Sequence, residues 1–203
     1  MSSLPHPPRP DSHQTDDWSP EKVRHIAASR VAAASRPRHL LGSYAGWMLD
    51  LDAIDVEEIA SALADQTDYE HRWLIDPRSG ELAFWTSDLG IDGENPVELD
   101  ELDLILIDPL PSYVWYQDMV DFADGISDRD AGDPLSRALE GKGAFRRFKN
   151  ELYQRHPELI PVWHAWRDAR ARVRAVQWLA DEGLIEEGAA QRFQRDHPEP
   201  ALP

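Results

Sequence analysis

The sequence predicts an α+β domain, with a small antiparallel β-sheet packed against a mainly helical C-terminal half. Three observations predict it. Two aromatic and β-branched runs, His71–Ile75 and Glu81–Trp85, flank Asp76-Pro77-Arg78-Ser79-Gly80, a segment of strong turn chemistry. Beyond residue 112 the apolar period changes from two to between three and four. Finally, 8 tryptophans in 203 residues supply the large apolar side chains that a core needs and that disordered chains lack.

The elements follow in order. Residues 1–46 read as a flexible N-terminal extension. Residues 1–17 are rich in Pro, Ser, Asp and His, and one helix is expected from Ser19-Pro20 to about Ala34, ending before Arg36-Pro37-Arg38. The domain proper is expected over 47–185. Asp55 and Glu58 form a candidate capping box for a helix whose apolar face carries Ile59 and Leu63. The hairpin follows, then a strand over 102–107. Ser112 is a candidate cap for a helix carrying Tyr116, Met119, Ala123 and Ile126. Asp133-Pro134 is expected to open a short helix that Gly141 closes. A helix from Ala144 to about Arg155 should bury Phe145, Phe148 and Leu152, and a long one should run from about Pro161 to Glu182. Residues 186–203 should hold a short helix around Ala189–Phe193 and a frayed Pro-rich end.

Charge narrows the function classes. The formal net charge is −17, which disfavours a general binder of phosphate backbones. The charge is divided, however. Residues 1–135 hold 9 Lys+Arg against 28 Asp+Glu, whereas residues 136–175 hold 10 against 4. There is no cysteine, which removes disulfides and thiolate chemistry and suits a reducing compartment. With no long apolar run and no secretion signal at the start, we expect a cytoplasmic protein that does not enter a membrane.

The segment Arg137-Ala138-Leu139-Glu140-Gly141-Lys142-Gly143-Ala144-Phe145-Arg146-Arg147-Phe148-Lys149 resembles the signature of a bacterial uncharacterised protein family of the UPF 0158 type. Asp50-Leu51-Asp52, the Asp76 and Ser79-Gly80-Glu81 turn, the run Tyr116-Gln117-Asp118-Met119-Val120-Asp121-Phe122 and the Trp178-Leu179 pair fit the same resemblance. It covers about residues 47–184 and leaves the N-terminal extension outside. It implies a domain and no mechanism.

Two basic features are candidate sites. The first is Gly141-Lys142-Gly143 with Arg146 and Arg147. Glycines admit a close ligand, and free amides at a helix start attract anions. In outline it is similar to the helix-hairpin-helix DNA element, but Lys142 stands where that element has an apolar residue. The plainer reading is a tight interhelical turn, and we favour it. The second is the stripe Trp163, Arg167, Arg170, Arg174 and Trp178, which falls along one side of the long helix. It can grip a carboxylate or phosphate through forked hydrogen bonds and stacking. The plainer reading is internal pairing with acids of the first half, Asp50, Asp52, Glu57 or Asp118.

Enzyme chemistry finds no motif. His164 and Asp168 lie one turn apart, but two ligands do not make a metal site. His71 has no obvious partner in the sequence. Asp88-Leu89-Gly90-Ile91-Asp92-Gly93 fails as a calcium loop, because Leu99 stands where a bidentate Glu is required. No cofactor, metal or catalytic residue is expected. The leading expectation is a non-enzymatic binding or regulatory module for a protein or anionic ligand. A nucleic-acid binder is the alternative, and an enzyme acting on an anionic small molecule is the competing class. All three require some of these cations to remain open to solvent.

Overall fold

A computed structural model describes residues 48–67 and 71–203. The helix expected in the extension therefore lies outside the described residues. The chain enters along Leu49, whose amide donates to the Leu184 carbonyl at 2.8 Å. Helix α1 spans Val56–Ala64 and starts as its sequence signals. The Asp55 carboxylate accepts from the Glu58 amide at 3.0 Å, satisfying one of the helix's unpaired donors. Strands β1 (His71–Ile75) and β2 (Leu82–Thr86) pair antiparallel with Trp73 opposite Phe84. Between them Gly80 adopts φ +78°, and a Cβ there would lie 3.2 Å from Ile54.

Strand β3 covers only Ile105–Ile107 and pairs antiparallel with β1, giving the order β2-β1-β3. The expected strand at 102–107 is thus halved. Leu99–Glu101 forms a 3-10 turn immediately before it, and only three residues reach β1.

The C-terminal half is helical: α2 (Ser112–Gly125), α3 (Arg129–Ala138), α4 (Ala144–Arg155), α5 (Ile160–Asp181) and α6 (Glu187–Asp196). Several starts differ from expectation. Pro111 occupies the cap position of α2, so Ser112 is its first helical residue rather than its cap. Helix α3 opens five residues before Pro134. Asp128 accepts from the Asp130 amide at 3.0 Å and outcompetes Asp133-Pro134 as a start signal. Pro134 then sits inside the helix at the cost of one backbone bond.

Two apolar cores share the 22-residue helix α5, which is roughly 33 Å long. Near its start, Trp163 and Trp166 join Tyr116, Phe122, Leu135 and Phe148 between α2, α3 and α4. Phe122 and Phe148 meet the Trp163 ring edge-on at 5.0 and 5.1 Å. Near its end, Ala175, Val176 and Leu179 join Ile59 and Leu63 of α1, Ile75 and Ile107 of the sheet, and Ala190 of α6. Phe145 departs from its expected burial and is 39% exposed.

The Pro-rich end also departs from the fraying expected of it. Leu202 packs on the first core, over Gly125, where a Cβ would come within 2.5 Å of it. The Ser127 amide donates to the Pro203 carbonyl at 2.7 Å. Leu202 in its slot over Gly125, together with this hydrogen bond, ties down a segment whose composition signals disorder.

Candidate functional site

Two of the three arginines of the α5 stripe are spent inside the protein. Asp118, on α2, is buried to 1% exposure, and Arg170 and Arg174 close on it from α5. Arg170 donates through Nε to Asp118 Oδ1 at 2.9 Å and also meets Asp121 at 2.9 Å and Glu199 at 3.6 Å. Arg174 grips both Asp118 oxygens, one at 2.7 Å. The two guanidinium groups lie over the rings of Trp166 and Trp115, at 4.6 and 5.4 Å. A buried carboxylate requires such partners, and a forked guanidinium supplies them. Glu57, another of the expected acids, takes Arg172 at 3.0 Å. Arg170 and Arg174 are therefore corrected from contact residues to internal ion-pair partners.

The flanking tryptophans are corrected as well. Trp163 is buried in the first core and Trp178 packs against the second, so both serve packing rather than flank an open row of arginines. Arg167 alone of the stripe reaches outward. It is 40% exposed and paired to its neighbour Asp168 at 2.7 Å. Asp168 is thereby occupied, and His164 shares a 3.0 Å hydrogen bond with the Tyr153 hydroxyl. The two do not converge on a metal, and no three such ligands do among the described residues.

The Gly-Lys-Gly segment is a turn with an internal lock. Gly141 and Gly143 take φ +68° and +75°, the left-handed region that glycine favours. Arg147 folds back over the turn. Its Nε donates to the Ala138 carbonyl at 3.1 Å, and its terminal nitrogens reach the carbonyls of Glu140, Gly141 and Lys142. The guanidinium satisfies the carbonyl of Ala138, the last residue of α3, and three carbonyls of the turn that follows it. Arg147 is thus corrected from ligand contact to helix cap. Lys142 and Arg146 remain exposed and take part in no ion pair among the described residues.

Beside this turn lies a cleft of about 610 Å³ between α1, α2, α4 and α5. Ala60 and Ala64 form one wall, Trp115 and Met119 the next, and Phe145 and Lys149 of α4 the third. Trp163, Arg167 and Ala171 of α5 complete it. Asp118 lies among its lining residues. The indole N–H of Trp115 is buried and has no acceptor among the described residues. Lys149 is exposed and has no ion pair among the described residues. The Gly141–Gly143 turn does not line this cleft. Its walls come from four helices and from residues as far apart as Glu57 and Ala171, so no local sequence signal announces it.

A second group also escapes the sequence. The Asp65 carboxylate accepts from the Thr67 amide at 3.0 Å and from its hydroxyl. It is also 2.9 Å from His71 Nε2 and takes the Trp73 indole N–H at 2.8 Å. The Thr67 hydroxyl, then His71 and Trp73, hold this carboxyl well below its ordinary value of 3.8. His71, expected to lack a partner, is also stacked on Phe84 at 4.7 Å. Thr67 and Asp65 meet the same ring nitrogen, so the three do not form a relay through the imidazole. The rejected calcium loop is likewise self-contained. Asp92 accepts from the Asn95 side chain and from the amides of Glu94 and Asn95, which pulls its carboxyl down to about 2.

No helix among the described residues is long and apolar enough to cross a membrane. No solved structure matches the chain. A UPF0158 protein of Pseudomonas aeruginosa is 33% identical over 138 residues, spanning 64% of this chain and 84% of that protein. The model of the Uncharacterised protein family (UPF0158) matches residues 51–193, from the turn before α1 into α6. The chain belongs to the UPF0158 family.

Proposed function

We propose that the chain is a cytoplasmic, non-enzymatic binding or regulatory module. Its contact surface is the four-helix cleft and the adjoining basic flank of α4, not the α5 stripe. One observation carries the reading. Phe145 and Lys149 stand together on α4, a large apolar ring 39% exposed beside a cation with no ion pair among the described residues. Contiguous apolar surface rimmed by charge marks contact sites, and Phe145 continues the apolar wall that Ala60, Ala64 and Met119 give the cleft. Each carboxylate of the cleft is tied to an arginine: Glu57 to Arg172, Asp118 to Arg170 and Arg174, and Asp168 to Arg167. None is left as a free base, which favours binding over catalysis.

Nucleic acid fits less well. Arg147, Arg170 and Arg174, three of the candidates for gripping phosphate, are occupied by the protein's own carbonyls and carboxylates. The test changes two residues of that one surface, with a charge reversal at Lys149 and a truncation at Phe145. Lys149→Glu and Phe145→Ala should lose the partner that the full chain captures from extracts of its host, with the circular dichroism spectrum unchanged. If both variants retain that partner, the contact lies elsewhere.

A further inference from the structure

Five of the six large hydrophobic side chains left exposed among the described residues fall in two places. Phe145 and Tyr153 stand on the outer face of α4, in line with Lys149 at successive spacings of four residues. Phe84, Leu89 and Ile91 stand on β2 and on the loop that leaves it. Exposed apolar residues are ordinary when scattered, but grouped and bordered by charge they mark contact surfaces. The two groups carry opposite borders. Residues 142–155 hold five cations, and Glu151 is their only acid. Residues 84–103 hold seven acids and no cation. Lys142, Arg146 and Lys149 take part in no ion pair among the described residues, and neither do Asp88, Asp92 and Glu94. The acidic loop also presents its apolar groups in a fixed shape. Thr86 and Gly90 exchange two backbone hydrogen bonds, at 3.0 and 2.9 Å, and the Gly93 amide donates to the Leu89 carbonyl at 3.1 Å. A preformed loop loses little conformational freedom on contact.

Resting on the reading of α4 as a contact face, we infer that its occupant is a second copy of this chain, docked head to tail. The loop after β2 of one copy lies on α4 of the next. Leu89 and Ile91 meet Phe145 and Tyr153, and acids of the loop face cations of α4. Two different patches meet, so the contact is heterologous and extends into longer assemblies unless its geometry closes a ring. The net charge of −17 opposes the approach of two copies. At about 0.15 M salt, screening over roughly 8 Å limits that repulsion, while opposite charges in contact keep much of their attraction. An acidic, apolar stretch on another protein presents the same chemistry. The second copy is favoured because this chain itself carries the matching half.

Sedimentation velocity of the full chain, over a range of concentrations and at two salt levels, tests the contact. Species heavier than the monomer should grow with concentration at about 0.15 M salt and diminish at about 1 M, where the screening length falls to about 3 Å. Net repulsion alone gives the opposite trend, and that result would overturn the proposal. Two double variants then address the halves: Arg146→Glu with Lys149→Glu, and Asp88→Lys with Glu94→Lys. Each should weaken association about tenfold or more, with the circular dichroism spectrum unchanged. The second makes the chain less negative, so tighter association by it would show that net charge governs and would sink the contact. Mixed in equal amounts, the two variants should associate again, because each supplies the half that the other lacks. Variants that stay apart on mixing overturn the proposal, as does association that survives either double substitution. A full chain that remains monomeric at both salt levels overturns it as well. The reading of α4 as a contact face then stands or falls separately, on whether Lys149→Glu and Phe145→Ala lose the partner captured from host extracts.

Discussion

Arg170 and Arg174 on α5 meet a carboxylate that is 99% removed from solvent, whereas Lys142, Arg146 and Lys149 around the start of α4 meet none among the described residues. Both stretches belong to the same basic block of an acidic chain. Their fates diverge because α2 delivers Asp118 to the face of α5, and no acid among the described residues pairs with these cations of α4. A cation beside a buried acid becomes part of the fold. A cation facing water stays available to a partner. Local richness in arginine therefore says nothing about function until the packing of each side chain is known.

Substitutions can break or sharpen that contrast. Asp118→Ala should have the largest effect. It leaves two mostly buried guanidinium groups without their shared partner, at a cost of about 3–5 kcal/mol in urea unfolding. A loss below about 1 kcal/mol would show that Asp121 and Glu199 suffice for Arg170 and that the pairing at Asp118 is dispensable. Arg147→Ala comes next. It removes the donors that close the α3–α4 turn and should cost about 1–3 kcal/mol. Arg147→Lys should recover little, since an ammonium cannot span four carbonyls as the forked guanidinium does.

Acid denaturation gives a smaller, pH-dependent signal from outside both basic stretches. The folded-state pKa of Asp65 lies below its unfolded value of 3.8. Its contribution is therefore present above about pH 4 and is lost as pH falls below 3.8 toward the folded value. Asp65→Asn should lower stability at neutral pH and flatten the acid limb of a stability-against-pH curve. An unchanged slope would remove Asp65 from the account of acid lability.

At the small end, Arg146→Ala and Lys142→Ala should alter stability by less than about 0.5 kcal/mol, as exposed positions without partners do. A larger loss would mean that α4's cations serve the fold after all, erasing the distinction between the two stretches.

Local features were readable and distant ones were not. The Asp55 cap, the hairpin turn at Asp76–Gly80 and the span of α4 depend on residues a few positions apart, and the sequence displays them. The start of α3 was missed because two acceptable caps, Asp128 and Asp133, compete within one short stretch. The seating of Leu202 on Gly125 was missed because composition alone signals a loose end. The tryptophans of the stripe were misplaced for a related reason. Helical spacing puts Trp163 on a line with Arg167, but only the arrival of Phe122 and Phe148 decides that this line passes through the core.

By itself the sequence determined the secondary-structure grammar, the α+β class, and the separation of a basic block from an acidic chain. These follow from backbone preferences and periodicities acting over one or two turns. Tertiary structure alone decided which cations are consumed. Arg174 finds Asp118 across 56 residues and Arg172 finds Glu57 across 115. A charge's environment is set by what packing brings within a few ångströms, and at such separations along the chain only the folded core supplies that neighbour.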